Sequence, residues 1–305
     1  MTTPGSATAE TPAVYFLSDY GLDDEFVGVV HAVLHRHAPS VPVIDLSHRI
    51  PPFDVAAGAA VLARAVPHLG AGVVLAVVDP GVGTDRRPLA VGVRATGGPA
   101  WLVGPDNGLL VPAADALGAA ERVVVATPAR QDRTPGGGTF DGRDVFGPAA
   151  AHLALGRDPD DLGPSVDPGT LVRSGAPGTG RVAGAGPVLV VSVGWVDRFG
   201  NVQLQVDPDA AAEILGHPGV TLQIALGAGP VPSGTPASRT LDPPPGFGSW
   251  IEIRRVATFG DLEGGQLGIL LDANGRPALV LDRSSAAARL GIDGPGRAVA
   301  VRAAG

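Results

Sequence analysis

The sequence contains no cysteine. Disulfide frameworks, thiolate metal sites, cysteine nucleophiles and iron–sulfur clusters are therefore excluded. It contains no lysine either, so every basic side chain outside histidine is an arginine. Schiff-base chemistry and a lysine-bearing phosphate loop fall away with it. Positive charge is scarce: 22 basic against 30 acidic residues leave a net charge of −8. With no basic run in the chain, nucleic acid is not an expected partner. No apolar run approaches the roughly 18 residues of a membrane span. Residues 1–12 are small and polar, without the basic and apolar regions of a signal peptide. They read as a flexible tail, no membrane partner is expected, and the expected location is the cytoplasm.

What is present is apolar. Hydrophobic residues make up 45% of the 305 positions and charged residues 17%, enough to bury a large core in two ordinary domains. Ala13–Ser18, Val41–Leu46 and Val73–Val78 read as buried strands, with Leu89–Val93, Ala100–Val103 and Arg122–Ala126 as further strands. Between them a helix is expected through about His37, capped by Asp23 or Asp24. Others are expected over Val55–Val66, after Asn107 towards Leu117, and over Val145–Leu155. This alternation predicts an α/β domain over 13–173 with a central mixed or parallel sheet. A Gly- and Pro-rich linker follows at 174–186. From 187 to 305 short strands recur with few helix signals, which predicts a smaller all-β domain, a barrel or a sandwich. The Pro/Gly/Ser stretch from Gly229 to Gly248 reads as an exposed loop.

Four polar clusters fall at strand ends or in the loops beyond them, the edge where open α/β sheets bind ligands. Asp19, beside Gly21, suits the two hydroxyls of a ribose, though a helix cap explains it as simply. Asp79 is followed by a Pro-Gly turn, Thr84, Arg86 and Arg87, either a ligand site or a surface turn with an ion pair. Gly104–Gly108, with Asn107, reads as a tight turn. Gly136–Phe146 joins a glycine-rich lead to Phe140, Asp141, Arg143 and Asp144. There Asp144 is expected to cap a helix and pair with Arg143. In the second domain Trp195–Asn201 reads as a hairpin turn that could also stack on a purine. The histidines His31, His35 and His37 share one helix without convincing ligand geometry, so no metal site is expected.

Together the segments LSDYGLDDEFVG, DLSHRIPPFDVAAGA, VVDPGVGTDRRPLAV, GPDNGLL, TFDGRDVFGPAAAHLA, VDRFGNVQ and LLDANGRPALVL resemble the S-adenosyl-L-methionine hydroxide adenosyltransferase family. Its halogenating relatives are the fluorinase and chlorinase. The resemblance covers nearly the whole chain and implies an α/β domain with a C-terminal β-barrel. It also implies a homotrimer with active sites at subunit interfaces.

By motif, Asp19 would bind the ribose hydroxyls and Phe53 would pack near the ribose. Phe199 and Asn201 would hold adenine, with Asp197 near the methionine amino group. Phe259, Ala273 and Asn274 would complete the substrate contacts, with Thr84, Asn107 and Phe140 in the same set. Asp79 and Arg86 match two members of the Asp, Arg and His set that holds a nucleophilic water. The third differs, since the family pattern TFHGRD reads TFDGRD here and places Asp141 where the histidine would be. An ionised aspartate accepts hydrogen bonds but cannot donate one.

The implied reaction is hydrolysis of S-adenosyl-L-methionine, a small-molecule substrate, to adenosine and L-methionine, with no cofactor. A binding protein for S-adenosylmethionine or adenosine that has lost catalysis is the alternative raised by Asp141. A halogenase is disfavoured because Asp79 would repel a halide.

Overall fold

The computed structural model describes residues 12–94, 97–127, 138–173, 188–206, 211, 215–230 and 242–304. The tail over 1–11, the expected linker at 174–186, Gly136 and Gly137, and positions 231–241 of the long loop lie outside these residues. The chain divides into two units, residues 1–174 and 175–305.

In the first unit the strands are β1 (Ala13–Ser18), β2 (Val43–Ser47), β3 (Gly72–Val77), β4 (Pro88–Val93), β5 (Pro99–Pro105), β6 (Ala120–Val125) and β7 (Ser165–Val166). They form one sheet in the order β2-β1-β3-β5-β4-β6-β7. Pairings among β2, β1, β3 and β5 are parallel, and those made by β4, β6 and β7 are antiparallel. The sheet is therefore mixed.

Every residue of β1 and β3 is buried, the signature of strands covered on both faces. Alternate residues Val14, Phe16, Val73, Leu75 and Val77 share a core with Val30 and Leu34 of α1 (Phe26–His37) and with Ala150 and Leu153 of α4 (Gly147–Ala154). On the other pairing, α2 (Val55–Ala65) packs with α3 (Val111–Ala116) and reaches β1.

Two expected caps are corrected. Neither Asp23 nor Asp24 caps α1, because the chain bends through 22–25 and the helix starts only at Phe26, with Glu25 at the N-cap making no side-chain bond. Asp144 does not stand at an N-cap, because its helix begins earlier than the apolar run suggests. It opens at Gly142 with a wide turn over Gly142–Phe146 that places Asp144 inside it. A cap not read from the sequence forms on α2, where Asp54 accepts the Ala57 N–H at 2.9 Å.

The second unit holds β8 (Val188–Val196), β9 (Val202–Gln205), β10 (Thr221–Pro230), β11 (Ile251–Arg255), β12 (Leu267–Leu271), β13 (Pro277–Leu281) and β14 (Arg297–Ala303). They close a barrel in the order β10-β11-β12-β13-β9-β8-β14, which decides for a barrel over a sandwich. Its interior is filled by Val193, Ile224, Ile269, Leu279 and Val299 among others, as expected of a small barrel. The short helix α5 (Ala286–Leu290) lies between β13 and β14. Ser285 caps it by accepting the Ala288 N–H, and Gly291 ends it in the left-handed conformation.

Ile269 is fully buried in that interior. Ile269→Ala is expected to destabilise the protein by about 2–5 kcal/mol, measured by chemical denaturation.

Candidate active site

The parallel strands end on one edge, and that edge carries the polar residues. Asp19 directly follows β1, its N–H donating to the Val77 carbonyl at the end of β3. Its carboxylate accepts the Phe53 N–H at 2.9 Å. Phe53 adopts φ of 67°, a conformation that bulky residues avoid. This places its N–H on Asp19 and leaves its ring 71% exposed. Burial raises the pKa of Asp19 above 3.8, and the Phe53 N–H only partly offsets it. The charge of Asp79 adds to the rise.

Asp79 lies two residues beyond β3. The strand end is pinned by Asn107, whose side-chain amide donates to the Val78 carbonyl at 2.8 Å. The loop then folds back on itself: the Thr84 hydroxyl donates to the Gly81 carbonyl at 2.7 Å. Gly83, at φ of 80°, supplies a left-handed turn. This return brings Arg86 onto Asp79. Arg86 Nε lies 3.0 Å from each carboxylate oxygen, and a terminal nitrogen lies 2.5 Å from Oδ2. The same terminal nitrogen donates to Asp141 Oδ2. All three side chains are largely buried, with relative exposures of 6% for Asp79, 10% for Arg86 and 18% for Asp141. Burial alone would lower the pKa of Arg86, but hydrogen bonds and charge from both acids raise it above the ordinary guanidinium value. Arg86 therefore stays charged.

Aromatic packing sets the position of Asp141. The ring of Phe140 meets Tyr20 at 5.6 Å and Phe26 at 5.3 Å between centroids. Phe146 lies beneath Arg86, 5.2 Å from the guanidinium carbon, within cation–π range. Gly142 has no room for a side chain, since a Cβ there would stand 2.2 Å from the Tyr20 hydroxyl. Burial, then the nearby acids, push the Tyr20 pKa far up, so this phenol stays neutral.

The resulting cavity has a volume of about 420 Å³ and is lined by Asp19, Tyr20, Phe53, Asp79, Phe140 and Asp141, among others. Asp24 also faces it. It was read as a cap, and only the bend before α1 turns it inward. Thr84 and Asn107 are not in the lining and act on the backbone that carries Asp79. Arg87, next to Arg86, turns elsewhere. It holds the buried Asp106 at 2.5 Å and the Thr170 carbonyl at 2.7 Å. Arg143 pairs with Asp144 as expected, at 2.7 and 2.8 Å.

The barrel unit has its own cavity, of about 740 Å³, lined by Asp197, Phe199, Asn201, Phe259, Ala273 and Asn274 among others. The hairpin turn between β8 and β9 is built on Asp197. Its carboxylate accepts the N–H groups of Phe199 and Asn201 at 2.9 Å and the Asn201 amide at 2.8 Å. Phe199 is thereby presented to solvent, 73% exposed. Sequence reading missed Gln203 and Asp272 in this lining. Gln203 Oε1 and Asp272 Oδ2 are both buried without a hydrogen-bond partner, and such atoms ask for a donor. Asp272 directly precedes the Ala273-Asn274 pair, so proximity to a matched motif was the available signal.

An α/β unit with acids and a charged arginine at its parallel-strand ends, followed by a closed barrel whose largely apolar cavity carries a few polar side chains, fits a two-unit enzyme for small molecules. Residues 14–163 match the family described as the SAM hydroxide adenosyltransferase N-terminal domain. An (R)-S-adenosyl-L-methionine hydrolase of Salinispora tropica is 43% identical over 284 residues, covering 93% of this chain and 95% of its own. One from Salinispora arenicola is 51% identical over 196 residues, 64% of this chain and 72% of its own. A fluorinase of Actinoplanes is more distant, 27% identical over 216 residues, 63% of this chain and 70% of its own. The crystal structure of an uncharacterized conserved protein from Thermotoga maritima superposes with a TM-score of 0.78 at 25% identity, covering 95% of this chain and 99% of that one. This chain belongs to the SAM hydroxide adenosyltransferase family.

Gly142→Ala is expected to destabilise the protein by about 1–3 kcal/mol through forced displacement of Tyr20. Thermal unfolding checks the stability, and the displacement of Asp141 should lower turnover as well.

Proposed function

We propose that this enzyme hydrolyses S-adenosyl-L-methionine to adenosine and L-methionine by in-line attack of water at the ribose C5′. The observation that carries this reading is the pair of carboxylates Asp79 and Asp141, both bonded to Arg86, lining a cavity that Asp19 also lines while Arg86 stands outside the lining. The identity to the Salinispora hydrolases supports it.

The chemistry fits the charge balance. The substrate carries a sulfonium, and attack breaks the C5′–S bond with its electron pair moving to sulfur. The leaving group is then a neutral thioether, so no strong acid is needed. What is needed is an oxygen nucleophile about 3 Å from C5′ on the opposite side. Asp79 would orient that water and receive its proton, with Arg86 fixing the carboxylate. Asp141 would hold the far side of Arg86, as an acceptor only. Asp19, Asp24, Asp79 and Asp141 outnumber Arg86 around the cavity. Such a field attracts a sulfonium and repels a halide, which favours water over halogenation. The barrel residues Asp197, Phe199, Asn201, Phe259 and Asn274 would hold the adenine and methionine ends. A homotrimer with sites at subunit interfaces, in which exposed Phe53 and Phe199 are covered by a neighbouring copy, is part of this proposal; analytical ultracentrifugation tests it. No helix among the described residues is long and apolar enough to cross a membrane.

Incubation with S-adenosylmethionine in ¹⁸O-labelled water, with and without chloride, is expected to give labelled adenosine and methionine, read by mass spectrometry. A halogenated nucleoside, or bound substrate without turnover, would overturn the proposal. Asp79→Ala is expected to lower turnover roughly 100-fold or more with binding retained. Near-normal turnover would remove Asp79 from its role.

Acidification gives a separate test. The ribose contact requires ionised Asp19, whose pKa lies above 3.8 because of burial. As pH falls, substrate affinity should therefore decline from a higher pH than an ordinary aspartate would set. Asp19→Asn should weaken affinity about 10- to 100-fold, as loss of a charged hydrogen bond implies, and abolish that part of the pH dependence.

A further inference from the structure

The expectation of no metal rested on His31, His35 and His37 sharing one helix. All three lie on α1, but the fold gives His31 companions from β2 and the loop after it. On α1, His31 Nε2 lies 2.8 Å from Asp45 Oδ1 of β2. His48, in the loop after β2, brings its Nε2 to 3.0 Å from the same oxygen. The three ligand atoms lie within 4.8 Å of one another. His48 is buried, yet its Nε2 makes no hydrogen bond, because Asp45 lies off the line a donor would need. Its other ring nitrogen, Nδ1, is 2.7 Å from the Ser18 hydroxyl. That hydroxyl has two acceptor positions, one for the Tyr20 N–H at 3.3 Å and one for a proton on Nδ1. With the proton on Nδ1, Nε2 keeps a lone pair that no described donor occupies.

We infer that His31 Nε2, Asp45 Oδ1 and His48 Nε2 form a binding site for a divalent transition ion of the zinc type. Two imidazoles and one carboxylate are a ligand set that zinc accepts, with water as the fourth ligand. Tetrahedral bonds of 2.0–2.1 Å place neighbouring ligand atoms about 3.3 Å apart. The present spacings of 2.8 and 3.0 Å need only a small opening. Asp45 and His31 are partly exposed, at 43% and 35% for their side chains, which leaves a way in for the ion and its water. Ser18 supplies the outer hydrogen bond that orients a ligating histidine.

The site would act on the cavity through the backbone. The His48 carbonyl accepts the Gly21 N–H at 2.8 Å. The loop from His48 leads to Phe53, whose N–H holds Asp19. An ion would thus tie α1 and β2 to the loop that carries Phe53.

The test uses the full chain, stripped with a chelator and titrated with Zn²⁺ alone by calorimetry, with thermal unfolding in parallel. One ion per chain is expected, with a raised Tm. His31→Gln and Asp45→Asn, both at accessible positions, should each weaken binding at least tenfold, while His35→Gln leaves it unchanged. Replacement by Co²⁺ should give a tetrahedral visible spectrum that His31→Gln removes. Absence of saturable binding, or wild-type affinity in both His31→Gln and Asp45→Asn, would overturn the site.

Discussion

The first unit's site depends on one guanidinium. Among the described residues Arg86 is the only cation in contact with Asp79 and Asp141, and it bonds to both. Two buried carboxylates repel each other and lose their hydration, so their approach needs a fixed positive charge. The rest of the local structure serves that placement. Thr84 and Gly83 turn the loop so that Arg86 returns to Asp79. Asn107 fixes the strand end from which the loop leaves. Phe146 supports the guanidinium from below, and Tyr20 with Phe140 sets where Asp141 begins its helix. Arg87 could not substitute, being committed to Asp106 and Thr170.

The sequence reading succeeded where one local signal decides. Continuous apolar runs marked β1 and β3, and a buried parallel core followed from them. Recurring short strands marked the second unit, although closure into a barrel depends on pairings such as β10 with β14 that no local pattern contains. Asp79 and Arg86 were legible because a Pro-Gly turn separates them by seven residues. Their meeting with Asp141, 55 residues away from Arg86, was legible only through family resemblance. What failed was competition between similar residues. Asp23, Asp24 and Asp144 all look like caps, but a cap is set by where the backbone enters the helix, which depends on packing around Phe26 and Gly142. The grouping of His31 with Asp45 and His48 was hidden for the same reason. Helical spacing drew attention to His35 and His37, whereas the neighbours come from another strand and its loop.

Replacing a neutral imidazole by a carboxylate, as the sequence pattern around Asp141 implies, changes what Arg86 must balance. With both acids ionised, the three charged groups sum to a negative charge. The substrate centre they would face is positive, so the extra charge favours binding of the reactant. The thioether formed in the reaction is neutral and loses that attraction. The exchange thus works towards product departure as well as capture.

The two units differ in how they leave their strands exposed. The barrel closes on itself, so its described strands offer no free ladder to another chain. The sheet has open margins at β2 and β7. β7 is only two residues long, Ser165–Val166, too short to template a neighbour. β2 carries Asp45, whose charge is engaged by His31 and His48. A short strand and a charged one are the usual guards against unwanted strand addition and aggregation. Among the described residues, association between copies of this chain is thereby biased towards side chains and loops and away from the backbone ladders.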